Sequence, residues 1–171
     1  HVLENPMWYT SYTPYQAEIS QGRLEALFNY QTLVTELTGL PIANASLLDE
    51  ATAAAEAMTL SWSLNGNKEN TRFMIGHDIN PQTIAVLELR AEALGISLEV
   101  CKITSFWTHP VYELSFGGVF GIMLQLPGVN GGIYDPSETI AACKKEGIIT
   151  TAIVDPMWQV LMKPVGEMGL D

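Results

Sequence analysis

Apolar positions along this chain change period several times, and each change marks an element. From Glu18 to Leu37, Leu24, Leu27, Phe28, Val34 and Leu37 recur at helical spacing, and Thr38-Gly39 supplies a stop. Leu40 to Ala45 reads as a short apolar link. A second helix is predicted over about Leu48 to Leu64, with Asp49 and Glu50 favouring its N-terminus and Ser46 as N-cap. Its run of small residues from Ala51 to Ala57 implies close packing against a sheet or another helix. The polar stretch Asn65 to Asn70 is a turn, and Thr71 to Gly76 a short strand.

Pro81 to Leu94 has Pro81 where a missing N–H costs a helix nothing, and Ile84, Leu87 and Ala91 mark its buried stripe before Gly95. Ile96 to Ile103 alternates as a strand, Val119 to Leu126 is an almost continuous apolar strand, Pro136 to Glu146 a helix and Thr150 to Val154 a further strand. Lys163 to Gly166 opens a loop. Strands alternating with helices, the inner ones apolar on both faces, predict an α/β fold: a mostly parallel sheet with helices on both sides. In such a sheet ligands gather beyond the carboxyl ends of the strands. His77 to Asn80, Pro127 to Gly132 and Asp155 fall there.

Ahead of these elements, residues 4–18 follow no clean period and combine Trp8, Tyr9, Tyr12 and Tyr15 with Pro6 and Pro14. Prolines bias such a run towards an ordered, extended arm. Aromatics with hydroxyl tips suit interfaces and site walls. Two readings follow: a strap on its own domain, or an arm lining a pocket shared with a partner chain. The expected organisation is an irregular arm over 1–18 and an incomplete α/β domain over 19–171.

At 171 residues and 47% hydrophobic, the chain can bury a sizeable core. Eight basic against nineteen acidic residues give a net charge of −11, with Lys144-Lys145 the densest positive pair. Nucleic acid is therefore a poor partner, because its binding needs phosphate neutralisation. Cys101 and Cys143 stand far apart and read as small buried thiols, and His1, His77 and His109 form no metal pattern. No apolar run is long enough to span a membrane, and the first residues lack the basic and apolar regions of a signal peptide. The start at His1 without methionine and the stop at Asp171 predict a piece of a longer protein.

Motifs for nucleotide or nucleophile chemistry are missing: there is no GxGxxG, P-loop or GxSxG. Gly128 to Gly132 precedes no helix directly and reads as a turn. Asp155, ending an apolar strand, suits either a cationic ring or an ordinary helix cap. The loop Asn44 to Thr52 enters a helix, a natural anion site. Bulky Leu47 and Leu48 and acidic Asp49 and Glu50 argue against one, leaving a packed helix start.

The strings Glu4-Asn5-Pro6, Trp8-Tyr9-Thr10, Tyr12-Thr13-Pro14-Tyr15-Gln16, Glu18 to Glu25, Leu37-Thr38-Gly39-Leu40 and Ala43 to Glu50 together resemble the glycine decarboxylase P-protein family. The likeness continues through Pro81-Gln82-Thr83 and Lys163 to Glu167, and is weaker over 103–135. It is to the N-terminal, α-type half of that family, which implies part of the large domain of aspartate-aminotransferase-like, fold type I pyridoxal-phosphate enzymes. The resemblance further implies that the cofactor is held by a lysine of the other half, and that this chain makes no such bond. Lys144, Lys145 and Lys163 sit in helix-like or loop-like surroundings that do not suit that role.

By the same resemblance, Asp155 stands at the relic position of the aspartate that pairs with the pyridine nitrogen. Ser46-Leu47-Leu48 replaces a small-residue phosphate loop, and Asn80 departs from a usual histidine. The intact enzyme is expected to decarboxylate glycine with pyridoxal phosphate and to transfer the aminomethyl group to the lipoyl arm of H-protein. It would do so as a soluble oligomer, in bacterial cytoplasm or the mitochondrial matrix. Thr10, Tyr12, Thr13 and Tyr15 would then wall the site, with no catalytic residue in this chain. A structural assembly module without activity of its own is the alternative.

Overall fold

A computed structural model describes residues 1, 3–5, 21–45, 47–101 and 115–171. The chain divides into two compact units, His1–Ser46 and Leu47–Asp171. The first holds helix α1, Gln21–Thr38. Gly39, at φ 70°, ends that helix, its N–H donating to the Thr35 carbonyl at 2.9 Å. A left-handed residue there suits glycine, which has no Cβ to clash. Gln31 Nε2 donates to the Ala43 carbonyl at 3.0 Å and folds the following link back on the helix. Residues 18–20, where the helix was expected to begin, lie outside the described residues, as do residues 6–17 of the arm.

The second unit runs α2 (Glu50–Leu64), β1 (Arg72–Gly76), α3 (Pro81–Leu94), β2 (Ser97–Cys101), β3 (Val119–Leu126), α4 (Ser137–Lys145), β4 (Ile149–Val154), α5 (Pro156–Leu161) and α6 (Val165–Met168). Its four strands are parallel in the order β2-β1-β3-β4. The order reverses between β1 and β3, so a crevice opens at their carboxyl ends. One face buries Ala54, Ala55 and Met58 of α2 and Leu87 and Ala91 of α3 on Phe73, Ile75, Phe120 and Met123. The opposite face buries Cys143 of α4 with Met74, Val119 and Ile122. The expected fold, a parallel sheet covered on both sides, is the one observed.

Within β3, Phe120 and Met123 face one core while Val119 and Ile122 face the other, which strict alternation forbids. A register shift between Arg72 and Phe73 explains it: Arg72 pairs with Val119 but Phe73 with Gly121, leaving one extra residue on β3. Such a bulge resets the phase of a strand. Gly121 is required at the kink because a Cβ there would lie 2.6 Å from the Phe73 ring.

Three sequence expectations change. The N-cap of α2 is Asp49: its Oδ1 accepts from Thr52 N at 2.8 Å, while Asp49 N donates to Thr52 Oγ1 at 3.1 Å. This reciprocal capping box fills the first free N–H groups, and Ser46 lies outside the described residues. The helix start is also less packed than expected, with Leu48 87% exposed. In addition, the loop expected from Lys163 contains α6, and α5 precedes it, capped by Asp155 and opened by Pro156. We expect Gly121→Ala to destabilise the protein by about 1–3 kcal/mol through overpacking against Phe73. Urea unfolding reads this, and an unchanged midpoint would contradict the kink as described.

Candidate functional site

The carboxyl ends of β3 and β4, with the starts of α2, α3 and α5, surround a cleft of ≈ 450 Å³. Leu126, Pro127, Ile153 and Val154 supply its apolar wall, and Glu50, Asn80, Gln125 and Asp155 its polar groups. All three sequence features placed at the strand ends contribute here, through Asn80, Pro127 and Asp155. Why these polar groups converge follows from the strands that carry them. β3 is buried along its whole length and Gln125 near its end is only 8% exposed, so its amide needs partners within the protein.

It does so. Gln125 Oε1 accepts from Asn80 N at 2.9 Å, and Nε2 donates to the Pro127 carbonyl at 3.4 Å. Asn80 Nδ2 donates to Glu50 Oε1 at 2.9 Å, and Thr83 Oγ1 donates to the same oxygen at 3.0 Å. One network thus joins the first turns of α2 and α3 to the end of β3. Tyr134, on the loop leading into α4, donates from its hydroxyl to the Gln125 carbonyl at 3.3 Å. Burial, and then the charge of Asp78, push that hydroxyl well above its ordinary pKa, so it stays a donor.

Asp155 lies on the cleft wall as an N-cap: its Oδ1 accepts from Met157 N at 2.7 Å. The structure makes the helix-cap reading of Asp155. Thr10, Tyr12, Thr13 and Tyr15 lie outside the described residues. Both thiols are poor nucleophiles. Burial first, then Glu99, raises Cys101 to about 11, and burial first, then Asp171, raises Cys143 to about 12. Among the described residues no group of three His, Cys, Asp or Glu could hold a metal, and no helix is long and apolar enough to cross a membrane.

The cleft does not fit pyridoxal phosphate. A phosphate needs free N–H groups or a cation. The α2 start has its own Asp49 in the capping box, the Glu50 carboxylate stands beside it, and the described lining contains no Lys or Arg. Gln125 and Tyr134 were not singled out from sequence, and Glu50 only as an acidic residue at a helix start. A lone glutamine near the end of the otherwise apolar run Val119 to Leu126 was the one signal available, since a buried amide implies a network.

The family model described as "Glycine cleavage system P-protein" matches residues 1–171. The chain belongs to that family. Relatives named "Glycine dehydrogenase (decarboxylating)" include one from Prochlorococcus marinus, 57% identical over all of this chain and 17% of its own length. One from Thermosynechococcus vestitus is 51% identical, again over all of this chain and 17% of the relative. The chain therefore spans about a sixth of the P-protein relatives it matches. A solved structure, described as a crystal structure of glycine decarboxylase (P-protein) of the glycine cleavage system in inhibitor-bound form, superposes with a TM-score of 0.84 at 34% identity. The match covers 98% of this chain and 37% of that one. The expected α/β fold of the fold type I kind holds.

The network makes a definite energetic claim. Gln125→Leu leaves the Asn80 N–H without its acceptor, and we expect a loss of about 1–3 kcal/mol in chemical denaturation. A loss confined to a few tenths would mean that water replaces the amide.

Proposed function

We propose that this chain is a section of the non-catalytic half of glycine dehydrogenase (decarboxylating). The observation that carries the reading is its identity of 57% to such an enzyme across every residue of the chain. In the intact protein the proposed reaction is decarboxylation of glycine with pyridoxal phosphate, followed by transfer of the aminomethyl group to the lipoyl arm of H-protein. The cofactor, which acts as electron sink, belongs to the other, lysine-bearing half. The absence of a phosphate cradle in the described cleft supports that division of labour.

What this chain contributes is a wall. Thr10, Tyr12, Thr13 and Tyr15 offer hydroxyls that orient the substrate carboxylate or shape the passage for the lipoyl arm. Assembly with the other half as a soluble oligomer is part of the proposal, in bacterial cytoplasm or the mitochondrial matrix. A bacterial setting is supported by the bacterial source of the relatives above.

A second reading, an assembly module without any catalytic contribution, is favoured by one observation: the cleft carboxylates Asp155 and Glu50 are engaged in helix caps and element joining. The two readings separate in the intact enzyme. A hydroxyl bonded to a carboxylate is worth about 1.5–3 kcal/mol, so Tyr12→Phe or Tyr15→Phe should lower kcat/KM for glycine by about 10- to 100-fold. Unchanged kinetics in both variants would leave only the assembly role. Mixed alone with pyridoxal phosphate, the chain should show no visible band of a lysine-bound cofactor. Appearance of that band would overturn the assignment to the non-catalytic half.

A further inference from the structure

Asp78 ends the β1 turn at the point where strand order reverses, and it is only 5% exposed. Among the described residues its Oδ1 has no hydrogen-bond partner. Its Oδ2 faces Gly128 so closely that a Cβ on that residue would lie 1.9 Å from it. One main-chain bond ties the loop to Asp78, and a second folds the loop on itself. Val129 N donates to the Asp78 carbonyl at 2.8 Å, and Gly131 N to the Gly128 carbonyl at 2.8 Å. The loop 127–132 is thereby folded down over a buried carboxyl, and its first residue, Pro127, is part of the cleft wall.

A carboxylate so placed has one oxygen without a donor and little access to water, so its charge is costly. A neutral carboxyl fits the same space without that cost. We propose that Asp78 is a proton-dependent latch: neutral, it holds the loop 127–132 and the Pro127 wall against the end of β1, and ionised, it releases them. The role is that of a positioning residue acting through the loop. It is independent of the function proposed above, and its test involves no decarboxylation.

The titratable groups facing Asp78 are His77, beside it on the same turn, and Tyr134, from the loop before α4. Burial raises the Asp78 pKa above its ordinary value, against a smaller opposing effect of His77. A raised carboxyl pKa means that the folded state holds its proton more tightly than the unfolded chain. The stabilisation is complete below the unfolded value of about 3.9 and is lost as pH rises through the folded value.

Amide exchange in the wild-type protein tests the latch. From about pH 4 to about pH 8, after correction for intrinsic rates, protection of the Val129 and Gly131 amides should fall about tenfold or more. The midpoint should coincide with that of the Asp78 carboxyl carbon shift in the same sample. In Asp78→Asn, which keeps the shape and removes the proton, protection should not vary with pH. Gly128→Ala, which displaces the carboxyl, should lower protection at every pH. Wild-type protection that is flat over the range, or a midpoint away from the Asp78 titration, would overturn the proposal. So would the same pH dependence in Asp78→Asn.

Discussion

The carboxyl end of the sheet takes its form from one constraint: β3 is buried along all eight of its residues. A strand covered on both faces and paired on both edges has no route to solvent except at its ends. Gln125, near that end and only 8% exposed, needs partners from inside the protein. Gln125 meets that requirement by reaching the backbone of Asn80, and Asn80 and Thr83 in turn reach Glu50. The starts of two helices are thus tied to the tip of a strand by a glutamine that could not have been left unpaired.

The same constraint shapes the chemistry available in the cleft. Glu50 and Asp49 occupy the helix start that, in an anion site, would present open N–H groups. Asp155 caps α5 with one carboxylate oxygen. The polar atoms of this cleft hold elements together, and its walls are apolar.

Much of the fold was legible in the sequence. The strands, the three longer helices of the second unit and their parallel arrangement follow from period changes and from apolar runs too continuous for a sheet with a wet face. The stop at Gly39 and the proline opening of α3 were legible for local steric reasons. Less legible was α5. Its Asp155-Pro156 start is a good capping signal, but six residues are too few to show a helical period. The sequence pointed to Ser46 as the cap of α2, and only the reciprocal bonds with Thr52 place Asp49 there.

By itself the sequence determined family, fold class and the strand ends at which polar residues gather, because periodicity, turn residues and a long shared spelling are properties of neighbours along the chain. The tertiary structure decided the rest. It showed a bulge at Gly121 that turns Phe120 and Met123 to one face, a glutamine serving as a joint, and a buried Asp78 pressed against Gly128. Each is a meeting of residues tens of positions apart. Which atom satisfies or crowds another across such distances depends on packing, and packing is not written in any local pattern.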